Sequence, residues 1–178
     1  MIAKGVFMDK YVQLAKNTIE KYINEGEVYI PSEDELTEEM SSKRAGAFVS
    51  IHEKGELRGC IGTIAPTKDS LAKEIISNAI AASTRDPRFN AITSDELSLL
   101  EINVDVLGEP EPIDSPDKLD VKRYGVIVEK GYRRGLLLPN LDGVDTVEYQ
   151  IAIAMQKAGI DFDEKGVQLY RFEVVRHE

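Results

Sequence analysis

Two short β-type runs, Ala47 to His52 and Leu57 to Thr63, are separated only by Glu53-Lys54-Gly55-Glu56, with a glycine available for positive φ. Alternating apolar runs joined this closely read as an antiparallel hairpin. A second pair, Tyr124 to Glu129 and Arg134 to Leu138, sits around Lys130-Gly131-Tyr132-Arg133 and reads the same way. Helices are expected before and between the hairpins. Asp9 to Glu25 carries Val12, Ala15, Ile19, Tyr22 and Ile23 at helical spacing and stops at Gly26; Ser70 to Thr84 carries Leu71, Ile75, Ala79 and Ala82 and ends before Pro87. Asp145 and Glu148 have capping-box spacing for a helix reaching Ala158.

A doubly wound parallel sheet needs a helix between nearly every pair of strands, so this order predicts α+β, with a mainly antiparallel sheet flanked by helices. Glu101 to Leu107 alternates Ile102, Val104 and Val106 against Glu101, Asn103 and Asp105, predicting one packed face and one wet face. Glu33 to Met40 reads as a solvated loop or frayed turn, Glu109 to Asp120 as a linker or rim loop with one helical turn, and Val167 to Val175 as a single closing strand. Thr93 and Glu96 have capping-box spacing for a helical turn. No internal repeat is read. Residues 1–8 are expected to form a leader or linker and residues 9–178 one domain.

The chain has 178 residues and a formal charge of −10, with 22 Lys and Arg against 32 Asp and Glu. Such a surface repels phosphate backbones, so nucleic acid is disfavoured as the main partner. No apolar run approaches the roughly 18 residues of a membrane span. A single cysteine, Cys60, cannot close an intrachain disulfide, which points to the cytoplasm. The dinucleotide fingerprint, the phosphate loop and the nucleophile elbow are absent, and neither His52 nor His177 has a second histidine or cysteine at metal-ligand spacing. No metal site is expected.

What remains is Leu57-Arg58-Gly59-Cys60-Ile61-Gly62. Glycines inside a strand weaken it, so Gly59 and Gly62 mark a bulge or a close approach by a ligand or another backbone. Alternation places Arg58 and Cys60 on one face, where a guanidinium would lower the thiol pKa by about one unit if it points inward. Cys60 is then a nucleophile or redox group and Arg58 its activator; the competing reading is an inert core thiol. With an even turn, His52 faces Leu57 and Val49 faces Cys60, which separates His52 from Cys60; an odd loop or a bulge reverses this. Asp86-Pro87-Arg88-Phe89 supplies a second cluster, in which Asp86 and Arg88 orient a small polar ligand or simply close a turn.

The hexapeptide, its order with Asp86-Pro87-Arg88-Phe89, and the stretches Gly135 to Pro139 and Lys157-Ala158-Gly159 resemble the AMMECR domain family, whose bacterial and archaeal members are labelled AmmeMemoRadiSam system protein A. The resemblance implies an α+β fold of two unequal lobes with a cleft between them. It also implies pathway partners, a Memo-type protein and a radical S-adenosylmethionine enzyme, sometimes by direct fusion. Arg58, Gly59, Cys60 and Gly62 carry over as signature positions only, with no settled reaction attached. The expected function is that of a cytoplasmic accessory protein of such a pathway, binding a small polar ligand or modified group near the motif. Its competitor is a non-catalytic adaptor in which the motif is structural.

Overall fold

The structure is a computed structural model that describes residues 7–178, so most of the expected leader, residues 1–6, lies outside the described residues. The chain divides into two compact units, one running to Val106 and taking back Arg176–Glu178, the other spanning Leu107–Val175.

In the first unit, helix α1 (Lys10–Glu25) begins at Asp9, whose carboxylate accepts the backbone N–H groups of Tyr11 and Val12 at 2.8 and 3.3 Å. It ends at Gly26, which takes φ 71°, a left-handed value that glycine adopts without a Cβ penalty. The acidic stretch expected to be a solvated loop or frayed turn contains a 3-10 turn, Glu33–Glu35, and a short helix α2 (Glu38–Ser42). Thr37 caps α2, and Met40 is fully buried; one apolar side chain among carboxylates was too weak a periodic signal to reveal it.

Strands β1 (Ala47–Glu53) and β2 (Glu56–Gly62) form the expected hairpin. Glu53 pairs with Glu56, leaving Lys54 (φ 52°) and Gly55 (φ 82°) as a two-residue turn with both residues left-handed. Helix α3 (Leu71–Thr84) is capped by Ser70. In its first turn, fully buried Glu74 holds the connection from β2 by accepting from Thr63 Oγ1 at 2.7 Å and from Thr67 N, Thr67 Oγ1 and Lys68 N at 2.8 Å. Strand β3 (Leu100–Leu107) pairs antiparallel with β1. Ala47, Val49, Ile51, Ile102, Val104 and Val106 face α1 and α3 in one core.

In the second unit, β5 (Gly125–Lys130) and β6 (Arg133–Leu137) form the other hairpin, with β4 (Glu111–Ile113) arising inside the expected rim loop. Helix α4 (Val147–Ala158) is capped by Thr146 rather than Asp145. It packs Ala154 and Met155 onto Val126, Val128 and Leu137. Strand β7 (Gln168–Phe172) pairs with β5 and β4. The expected single closing strand is two strands, because β8 (Val174–His177) joins the other sheet. The sheet orders are β2-β1-β3-β8 and β4-β7-β5-β6.

These orders expose a repeat that the sequence reading missed. Each unit contains a hairpin, a helix, and a third strand that pairs with the first strand of the hairpin. The hairpins share Glu-Lys-Gly-x-x-Arg-Gly, at Glu53–Gly59 and at Glu129–Gly135. In each, the last glycine lies beneath its helix. A Cβ on Gly59 would meet Ala82 O at 2.2 Å, and one on Gly135 would meet Ala154 O at 2.0 Å.

Candidate functional site

The β1–β2 register carries an irregularity between Ile51 and His52: His52 pairs with Leu57 and Ile51 with Gly59, so Arg58 is an extra residue on β2. This bulge overturns the even-turn expectation. Cys60 pairs with Ser50, not Val49, and therefore shares a sheet face with Ser50 and His52. Cross-strand partners Asn103 of Ser50 and Asp105 of Phe48 extend that face. It is the face opposite the one packed by α1 and α3.

Arg58 is not beside the sulfur. Its Nε donates to Glu96 Oε1 at 2.7 Å and its Nη2 to Glu96 Oε2 at 3.2 Å, while Nη1 and Nη2 reach the carbonyls of Asn90 and Ala91 at 2.8 and 3.4 Å. The expectation that Arg58 activates Cys60 is therefore corrected: the bulge rotates Arg58 out of the alternation that would have aligned the two side chains. Glu96, also bound by Thr93 N, is held at a pKa of about 2, chiefly by the Arg58 hydrogen bond.

Cys60 is half-buried. Its Sγ lies 3.3 Å from Ser50 Oγ, and its backbone N–H donates to Asp86 Oδ2 at 2.9 Å. Burial pushes the thiol pKa up; Ser50 and the Arg88 charge pull against that, and Asp105 and Asp86 add to it. A thiol lowered into the neutral range, as expected from an adjacent guanidinium, is not what the sheet provides.

Gly59 and Gly62 are spent inside the protein. Gly59 admits the α3 backbone, and the space above Gly62 holds the Phe48 ring, 2.2 Å from where a Cβ would sit. The close approach on the Cβ side of these glycines is intramolecular, by the α3 backbone at Gly59 and by the Phe48 ring at Gly62. Asp86 and Arg88 do come to the motif. Asp86, 4% exposed, accepts from Arg88 Nε at 3.0 Å and from Arg88 Nη2 at 2.8 Å, and Arg88 Nη2 reaches Cys60 O at 3.4 Å. The Arg88 hydrogen bond is the largest influence holding the Asp86 carboxyl well below the usual range.

Sequence reasoning missed Ser50, Asp105 and Arg176. Asp105 was assigned to a wet face yet is 1% exposed, because Arg176 Nε and Nη2 close on its two oxygens at 2.8 and 3.1 Å. The alternation of β1 and β3 identifies the shared face once the register is known; nothing local marks Arg176. Among the described residues, no group of three or more His, Cys, Asp and Glu is placed to hold a metal ion, and no helix is long and apolar enough to cross a membrane.

Helices packed on one face of antiparallel sheets, with the hexapeptide at a bulged strand, define an α+β protein whose polar cluster gathers on the face away from the helices. The chain belongs to the AMMECR1 family, whose profile matches residues 12–177. It is 53% identical to a protein of Thermotoga maritima, covering 94% of this chain and 97% of that relative. It is 49% identical to a protein of Clostridium acetobutylicum, covering 96% of this chain but 36% of that longer relative. The crystal structure of an uncharacterised protein from Pyrococcus horikoshii superposes with a TM-score of 0.85 at 32% identity, covering 93% of this chain and 88% of the other.

Proposed function

We propose that this chain is a cytoplasmic accessory protein that binds a small polar ligand on the sheet face bearing Cys60, Ser50 and Asn103, in a pathway with a Memo-type protein and a radical S-adenosylmethionine enzyme. The observation that carries the binding reading is the placement of a half-buried thiol, a hydroxyl and an amide on the face away from the core. Polar groups concentrated at one strip of a sheet orient a ligand by hydrogen bonds. A thiol kept neutral by burial acts as a weak donor there, with Asp86 and Arg88 fixing the strand beside it. The pathway part rests on the family resemblance. The longer Clostridium relative, of which this chain spans 36%, fits a domain that works joined to others.

Amide NMR tests the binding reading. A panel of uncharged, cationic and anionic metabolites should include members that shift Ser50, Cys60 and Asn103 saturably; silence of these amides across the panel overturns it. An adaptor reading draws on a different observation, an apolar groove of about 540 Å³ lined by Val28, Ile30, Leu36, Ile76 and Ile80. Loss of pathway activity in Ile30→Lys together with full activity in Cys60→Ser would favour it.

A further inference from the structure

Resting on that binding reading, we propose that the ligand of the Cys60 face is a small oxyanion, a dicarboxylate or a phosphate ester, gripped by the outer amino groups of Arg88 and Arg176. Each arginine is bound edge-on to a carboxylate through Nε and Nη2, Arg88 to Asp86 and Arg176 to Asp105. The two carboxylates are 4% and 1% exposed, whereas the arginine side chains are 56% and 40% exposed. Each guanidinium is thereby fixed at its inner edge while its Nη1, which takes part in neither pair, is left to donate outward. Arginine presents five donors in a rigid fork, so an anchored fork with a free corner is preorganised for carboxylate or phosphate.

Both guanidiniums border the strip that carries Cys60: Arg88 Nη2 reaches Cys60 O at 3.4 Å, and Arg176 holds Asp105 on the same sheet face. The Arg88 charge is felt at Cys60, and Cys60 in turn is felt at Arg176. Arg88 approaches from the β2 side and Arg176 from β8, across a strip of three strand spacings, roughly 14 Å. Between them lie Cys60 on β2, Ser50 on β1 and Asn103 on β3, side by side in the register. A neutral thiol suits an oxyanion there, since a thiolate would repel it.

The thiol is also the reporter. An anion bound beside it should raise its pKa by about half a unit, slowing iodoacetamide alkylation roughly threefold below the pKa. Succinate and inorganic phosphate are titrated into the full chain against sodium chloride at equal ionic strength. A saturable slowing by either one, absent with chloride, supports the proposal and separates carboxylate from phosphate. Arg88→Lys and Arg176→Lys keep a cation for Asp86 and Asp105 but lose the outer amino group, and each should abolish most of the slowing with the denaturation midpoint retained. Slowing that matches chloride, or that survives in both lysine variants, overturns the proposal. An uncharged sugar that shifts Ser50, Cys60 and Asn103 while both anions leave them unmoved overturns the oxyanion and keeps the binding reading; silence with every probe removes both.

Discussion

A Cβ at Gly59 would fall 2.2 Å from a helix carbonyl oxygen, whereas one at Gly62 would fall 2.2 Å from the ring of Phe48. Backbone in the last turn of α3 cannot retreat without moving the helix, but the half-buried Phe48 side chain can swing aside about its χ1 bond. Gly59→Ala should therefore cost about 2–3 kcal/mol and Gly62→Ala about 1 kcal/mol in denaturant unfolding. Phe48→Ala should relieve the second clash and leave the first untouched. The strand glycines were legible as places of close approach; which neighbour approaches was not, because α3 and Phe48 reach them only through tertiary packing. Cys60 shows the same limit. Its alkylation should be slow at neutral pH and rise only in the alkaline range, because burial raises the thiol pKa; a plateau already reached near pH 7 would contradict that.

Among elements, the first hairpin decides the most. Its turn places Lys54, a residue with a Cβ, at φ 52°, where Asn or Gly is favoured. Lys54→Asn should stabilise the protein by up to about 1 kcal/mol, read from the denaturation midpoint. The hairpin's existence followed from sequence, yet one extra residue at Arg58 reversed which side chains share a face with Cys60. Gly59 signalled either a bulge or a close approach, but a strand glycine does not by itself say which of the two occurs or which residue becomes the extra one. The same bulge sends Arg58 to Glu96, tying β2 to the segment after α3. Glu96 has its pKa lowered from 4.5 to about 2. A lowered acid stabilises the fold fully above its unfolded pKa and loses that contribution as pH falls through the folded one. Wild type should thus lose stability between about pH 4.5 and 2 more steeply than Glu96→Gln, measured by urea midpoints across that range.

For the whole molecule, the decisive fact is that the chain returns. Arg176, near the C-terminus, neutralises Asp105 in the first unit's sheet. Arg176→Ala leaves that buried carboxylate unpaired; with the arginine 40% exposed, and its pairing already softened by water, the expected loss is about 2–3 kcal/mol. Arg176→Ala with Asp105→Asn should recover part of it. The repeated hairpin, helix and strand is likewise a property of the whole: Glu-Lys-Gly-x-x-Arg-Gly recurs in the sequence, but so short a match gains meaning only when both copies are seen under a helix carbonyl. By itself the sequence determined the family, the α+β class, both hairpins and the three long helices, because these rest on periodicity, caps and a specific hexapeptide written in adjacent residues. Tertiary structure alone decided the two-sheet division, the partner of Arg58 and the arrival of Ser50, Asp105 and Arg176 beside Cys60, since strand register and long-range ion pairs depend on where distant segments meet rather than on what neighbours them along the chain.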